Sequence, residues 1–427
     1  MKYPKRLFAY LLVSAFASSY LFAQTCPSAG CLDESFGVAG KTAVIDDYSA
    51  LPTNILVQSD GKIVTMPEGS TGYGHRIIRL NADGVIDSSF GIGGVASFHW
   101  TNGDSFDIAI QSVNGSERFL VVGNGSLSVG RKNYSNQMRI DRLLSDGTMD
   151  PSWGDNGVKM IRTNAAYSVT VQPDQKILLA TGIYGTLVRL LPDGTFDGSF
   201  GNGGIVNTGD AREVRIDPAG RILVAGRFQS SKANNSKKYI SIKRYFPDGS
   251  LDTTFGTNGM ALSAQMFTNP FSFELDAEGR VLFGNSDLND LVVQRFDTSG
   301  RADAAFGGGD GMITIDFFGF VDNFTRVTAA PNGRILVAGS VDLSASGNTG
   351  DFGIARLNPD GTLDNTFSGD GKANYDITGD DYVGSVIVQV DPACACEKLV
   401  VAGGGPSGSN NVRTFARLLL TDILPLN

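Results

Sequence analysis

This chain offers three side-chain chemistries: charge pairing at regular spacing, oxygen ligation of a cation at two glycine turns, and thiol oxidation near its ends. The motif Asp-x-(Ser/Thr)-(Phe/Trp)-Gly starts at Asp33, Asp87, Asp150, Asp197 and Asp252, with variants at Asp303 (Asp-Ala-Ala-Phe-Gly) and Asp364 (Asp-Asn-Thr-Phe-Ser). An apolar run ends in arginine at Arg79, Arg142, Arg189, Arg244, Arg295, Arg356 and Arg417. Six of these arginines precede an aspartate of the motif by eight residues, a spacing that lets a guanidinium fork onto a carboxylate. Fourteen charges of this kind would read as a catalytic or channel-lining ring only if they differed between units. A residue repeated in every unit belongs to the unit's own scaffold, so the pairs are read as structural.

Cation ligation is offered by Gly308-Gly-Asp-Gly311 and Ser368-Gly-Asp-Gly371, where carboxylates sit in glycine turns whose carbonyls could join them around calcium. Neither has alternating acidic ligands closed by a bidentate Glu, so no cofactor is expected and calcium is the weaker reading. His75 and His99 are too few and too scattered for zinc, and no nucleophile elbow, phosphate loop or strand-led dinucleotide fingerprint occurs. Nothing singles out two carboxylates as a glycosidase pair. Stretches that differ between units are better places for function: 124–137 with Arg131, Lys132 and Tyr134; 229–239 with Lys232, Lys237 and Lys238; and 340–351. Their bland reading is solvated hairpin tips.

The elements that would position these residues follow from the period. Successive aspartates are 54, 63, 47, 55, 51 and 61 positions apart, a mean of about 55, close to propeller blades and far from short solenoids. Each unit also carries a hairpin signal followed by an apolar run, as in Pro218-Ala-Gly-Arg-Ile-Leu-Val-Ala-Gly226 and Pro331-Asn-Gly-Arg-Ile-Leu-Val-Ala-Gly339. Those runs do not alternate, so the strands are buried on both faces, as in small sheets stacked radially. The expected fold is all-β: a seven-bladed β-propeller of seven repeats. Asp33 has no upstream arginine and Arg417 no downstream aspartate, so the two orphans complete each other when the ends meet and the ring closes.

The ends carry their own signals. Lys2, Lys5 and Arg6, the apolar run from Leu7 to Phe22, and Ala23 read as a signal peptide over 1–23. A cysteine-containing lead-in over 24–31, the propeller over 32–422 and a tail over 423–427 follow. Export permits disulfides among Cys26, Cys31, Cys394 and Cys396, paired either end to end or locally. A net charge of -9 supplies no basic footprint for nucleic acid or anionic membrane, and no span beyond the signal is long enough to cross a bilayer.

Units such as Leu357 to Lys372 (LNPDGTLDNTFSGDGK) and Pro331 to Ser340 (PNGRILVAGS) resemble the delta-60 repeats of bacterial exported proteins. The resemblance covers Leu32 to about Thr421 and implies a β-propeller and extracellular or envelope placement, with no established activity. The expected role is a non-enzymatic platform for a protein or glycan at the cell surface, secreted, periplasmic or surface-bound. A polysaccharide-active hydrolase or lyase and a structural surface layer are the alternatives. Asp303-Ala-Ala, Asp174-Gln175 and the last hairpin around Ala393-Cys-Ala-Cys396 depart from the repeat, which predicts irregular blades there.

Overall fold

The computed structural model describes residues 28–421, apart from 46–51, 68–74, 99, 101–102, 130–131, 230–237, 265–270, 288, 345–349, 378–380, 392–395 and 408–409. All regular elements among the described residues are strands, arranged as seven four-stranded antiparallel sheets. They are blades I (52–98), II (105–164), III (168–211), IV (213–262), V (272–315), VI (322–375) and VII (382–419 with 41–45). Within each blade the strands follow one another from inner strand a to outer strand d. Blade VI shows the pattern: Asp322–Ala329, Ile335–Asp342, Gly350–Leu357 and Lys372–Tyr375.

Burial explains the non-alternating runs. Strand b of blade VI is buried at seven of its eight positions and strand c at all eight. Both faces of such a strand meet an adjacent blade, so hydrophobic residues are needed at every position. The core accordingly divides into seven apolar clusters, one per blade junction: Val64, Met66 and Ile77 of blade I pack with Ile108, Phe119 and Val121 of blade II, and the same holds around to Phe36, Ile63, Val400 and Phe415 between blades VII and I. Strands a touch their counterparts in both neighbours all the way round and form the inner wall.

Ring closure is made by the chain ends. The strand Lys41–Ile45 pairs with Asn410–Leu419 as strand d of blade VII, with Lys41 opposite Ala416 and Ile45 opposite Val412. The Arg417 Nε lies 2.8 Å from Asp33, completing the pairing of the two orphans. Residues 29–31 go further and rebuild the missing c–d turn. In blade VI the Asn358 N–H donates to Thr362 O and the Gly361 N–H to Asn358 O; in blade VII the Leu419 N–H donates to Cys31 O and the Gly30 N–H to Leu419 O. Gly30 and Gly361 adopt φ of +95° and +90°, the left-handed turn conformation open to glycine. The turn of blade VII is thus a hairpin cut in two, one half from each end of the chain.

Blades III and V, which carry two of the departures, keep four strands, with shifts of register between strands c and d of blade III at Gly182–Thr186. Gln175 takes the positive φ (66°) that glycine supplies elsewhere, and blade III keeps its four strands. Ala305 lacks the hydroxyl, yet its N–H still donates to Asp303 Oδ1 at 3.0 Å. Residues 392–395 of the last hairpin lie outside the described residues.

Candidate functional site

The a–b and c–d turns lie on one face of the ring, and the b–c hairpins and d–a connections lie on the other. On the turn face all seven arginines meet their aspartates: Arg79–Asp87, Arg189–Asp197, Arg356–Asp364 and Arg417–Asp33 at 2.8 Å, Arg142–Asp150 at 2.9 Å, and Arg244–Asp252 and Arg295–Asp303 at 2.7 Å. None of the fourteen is more than 9% exposed. The contact differs from the bidentate fork the spacing suggests. Only Nε faces Asp Oδ2, while Nη1 crosses to a backbone carbonyl in the c–d turn of the next blade: Ser145, Pro192, Pro247, Thr298, Pro359, Leu420 and Ala82 in ring order. A carbonyl has no side-chain signature, so sequence spacing could not reveal this partner.

Each guanidinium also lies over the motif's aromatic ring, from 4.3 Å for Arg189 on Phe200 to 5.2 Å for Arg142 on Trp153. The hydroxyl two residues after the aspartate donates back to it, as Ser35 Oγ does to Asp33 Oδ1 at 2.6 Å. Burial alone would raise the Asp33 carboxyl, but hydrogen bonds from Ser35 and Lys398 and the charge of Arg417 outweigh it and hold the group at about 2. Burial of Asp197 is likewise outweighed by Ser199, Arg189 and Lys176, again to about 2. Lys62, Arg118, Lys176, Arg334 and Lys398, from the start of strand b, add a second cation to five of the aspartates. Their signal was the basic residue after the a–b turn, as in Asp60-Gly-Lys62. This arrangement clamps blade to blade.

The inner wall carries charges that are not repeated. Asp107, Glu213, Arg215, Glu274 and Arg326 stand on strands a of blades II, IV, V and VI. Arg215 is 3.2 Å from Glu213 and 3.5 Å from Glu274 across the blade junction. Asp107 accepts from the N–H groups of Ile108 and Val169 at 2.8 Å each, tying blade II to blade III. Burial raises the Asp107 and Glu213 carboxyls despite the opposing charge of Arg215. Lone charges in otherwise apolar strands, as in Glu213-Val-Arg215, were the signal for this network.

On the hairpin face the sequence candidates are placed only in part. Tyr134 lies under Arg162, 4.3 Å from the ring centre. Lys132 and Lys238 begin strands c of blades II and IV; Arg131, Lys232 and Lys237 lie outside the described residues. Neither Cys31 nor Cys396 is a free thiol, and Cys26 and Cys394 lie outside the described residues, as does the proposed signal segment. The two glycine-turn carboxylates considered for calcium are exposed and lie in turns of separate blades, where Asp310 accepts from Met312 N and Asp370 from Lys372 N, each at 2.9 Å. His75 is buried, 2.9 Å from Ser105 and stacked near Phe98 and Trp100, a core role.

The hairpin face around blade VI combines two features absent from the motif analysis. Phe318, Val321, Leu343 and Tyr382 are each 40–47% exposed. In the same connection as Phe318 and Val321, at the junction of blades V and VI, are Asp316 and Asp322, which with Asp290 have one oxygen each within 4.8 Å of the others. Burial, and then the charges of Asp316, Asp290 and Asp342, push the Asp322 carboxyl up to about 6. Sequence spacing hid this group because its members come from three segments of two blades.

Comparison with known proteins agrees with the architecture. Residues 58–90, 172–200, 218–255 and 330–367 match a family described as a domain of unknown function (DUF5122) beta-propeller. Each stretch runs from an a–b turn to the aromatic of the clamp. No curated protein matches the sequence. Among solved structures, a protein of unknown function from Bacteroides caccae is 14% identical over 73% of this chain and 93% of its own, with a TM-score of 0.41. One from Dyadobacter fermentans is 11% identical over 90% and 100%, at 0.43. Polysaccharide lyase Uly1 is 10% identical over 93% and 98%, at 0.44. The seven four-stranded sheets, with the four matched repeats, make this chain a seven-bladed β-propeller.

Proposed function

We propose that the protein is an exported, non-enzymatic binding platform that engages a protein or glycan at the cell surface through its hairpin face. The observation that carries this reading is the division between the faces. On the turn face the repeated charges are consumed by blade-to-blade clamps, and its exposed apolar residues, such as Ile92, Phe196 and Phe246, stand beside those clamps; on the hairpin face Phe318 and Val321 are exposed next to carboxylates that no cation among the described residues pairs. Half-exposed aromatics with polar neighbours are the residue types that anchor interfaces, and variable loops on a repeated scaffold are where binding sites grow. The delta-60 resemblance and the leader-like residues 1–23 support placement outside the cytoplasm.

The test is retention of purified surface polysaccharides and envelope proteins on the immobilised mature ring. Saturable retention of one ligand, abolished by Phe318→Ala with Tyr382→Ala, is the expected result. Turnover of a retained polysaccharide would replace this reading with a polymer-active enzyme, and self-association as the sole interaction would replace it with a structural layer.

A further inference from the structure

We infer that Asp290, Asp316 and Asp322 form a calcium site at the junction of blades V and VI. Asp290 opens strand c of blade V (Asp290–Phe296), Asp316 follows its strand d (Met312–Ile315), and Asp322 opens strand a of blade VI. One oxygen from each lies within 4.8 Å of the others, the span of oxygens that share a calcium ion at about 2.4 Å. Three carboxylates and no nitrogen or sulfur donor select a hard cation, and flexible spacing across three chain segments favours calcium over magnesium's strict octahedron.

A cluster of acids alone would carry no such conclusion. The second observation is a carboxylate oxygen without a partner. Asp322 is 1% exposed; its Oδ2 accepts from the Phe317 N–H at 2.9 Å, while its Oδ1 is buried with no hydrogen-bond partner among the described residues. Leaving a buried carboxylate oxygen bare is costly unless a charge or donor meets it. Lys372 Nζ donates to the backbone carbonyl of Asp316 at 2.8 Å and makes no ion pair with the three carboxylates among the described residues. Asp316 Oδ1 accepts from Gly319 N at 2.6 Å, which fixes the loop and leaves its other oxygen for the ion.

The next junction supplies an internal control. Asp351, Asp376 and Asp381 occupy the matching positions between blades VI and VII, with Ile377 N donating to Asp381 as Phe317 N does to Asp322. There Asn374 Nδ2 donates to Asp351 Oδ2 at 2.6 Å, so a neutral donor takes the place proposed for calcium. Blade V has Thr314 at the position of Asn374.

The inference is independent of the binding-platform reading. Its test is calorimetric titration of the purified mature ring with calcium and with magnesium, paired with thermal unfolding at 0 and 10 mM calcium. One calcium per chain with a Kd on the order of 10⁻⁴–10⁻³ M, the range of extracellular modules, and a rise in Tm with calcium are expected. Asp316→Asn, at an exposed position that tolerates change, weakens calcium at least tenfold; Asp322→Asn abolishes the calcium-dependent rise in Tm; Asp351→Asn leaves the affinity unaltered. Absence of heat and of any Tm shift at 10 mM calcium, an unchanged affinity in Asp316→Asn, or tighter binding of magnesium than calcium would overturn the assignment.

Discussion

The two faces of the ring use the same residue type, aspartate, in opposite ways. On the turn face every motif aspartate lies within 2.9 Å of an arginine and most receive a hydroxyl as well. On the hairpin face the carboxylates of blades V and VI crowd one another, and Asp322 keeps a bare buried oxygen. A paired buried charge is part of the scaffold, because removing its partner destabilises the fold. Unpaired carboxylates held together by the backbone do not stabilise the chain by themselves, and a cation between them would offset their repulsion.

The largest effect that would sharpen this contrast comes from cutting a clamp. Arg244→Ala removes a buried ion pair, the bond to the Thr298 carbonyl and the contact with Phe255. The expected loss is about 3–5 kcal/mol in chemical denaturation. Arg417→Ala should cost as much as Arg189→Ala, since each leaves an aspartate with a second cation, Lys398 on Asp33 and Lys176 on Asp197; a markedly smaller loss would mean that the closing junction is not equivalent to the others.

Next in size is Gly249→Ala in the c–d turn of blade IV. This residue has φ +89°, and a Cβ there would come within 2.9 Å of the Phe200 ring of the preceding blade and 2.7 Å of Val206. Strain and overpacking together should cost about 2–3 kcal/mol, read as a fall in the denaturant midpoint. Gly198→Ala, where a Cβ would meet nothing within 4 Å, is the neutral comparison.

The two faces also separate by pH. Asp33 and Asp197 are held at about 2, and Asp87, Asp150, Asp252 and Asp364 are shifted the same way, burial being outweighed by hydroxyl and backbone donors and by arginine. Their ordinary value is about 3.9, so the stability they confer is complete above about pH 4 and lost as pH falls toward 2. Asp322 has the opposite sign. Raised by burial to about 6, it destabilises the metal-free fold above pH 6 and is relieved as pH falls from 6 to 4. Without calcium, Tm should therefore rise between pH 7 and 5 and drop below pH 4; Asp107 and Glu213, also raised by burial, share the upper limb, and Asp322→Asn should shrink that limb and leave the lower one unchanged.

Much of this molecule was legible because a sevenfold repeat states each structural rule seven times. The glycine turns, the non-alternating strand b and the orphans Asp33 and Arg417 together dictate a closed ring of buried sheets. What repetition cannot state was missed. The acceptor of each Arg Nη1 is a backbone carbonyl in another blade. The role of Ala29, Gly30 and Cys31 was hidden because half of their turn lies at Leu419 and Leu420, nearly 400 residues away. Asp290, Asp316 and Asp322 belong to a single junction and come from three chain segments, so no spacing in the sequence joins them.

The measurement that bears most directly on the division of labour is a paired comparison of alanine variants against one retained ligand. Phe318→Ala with Tyr382→Ala alters the hairpin face, and Phe196→Ala with Phe246→Ala alters exposed aromatics of the turn face. Binding by surface plasmon resonance and Tm are recorded for both. The account predicts at least tenfold weaker binding for the first pair with stability changed by no more than about 0.5 kcal/mol per residue, and unchanged binding for the second. Loss of binding in the second pair with full binding in the first would contradict it.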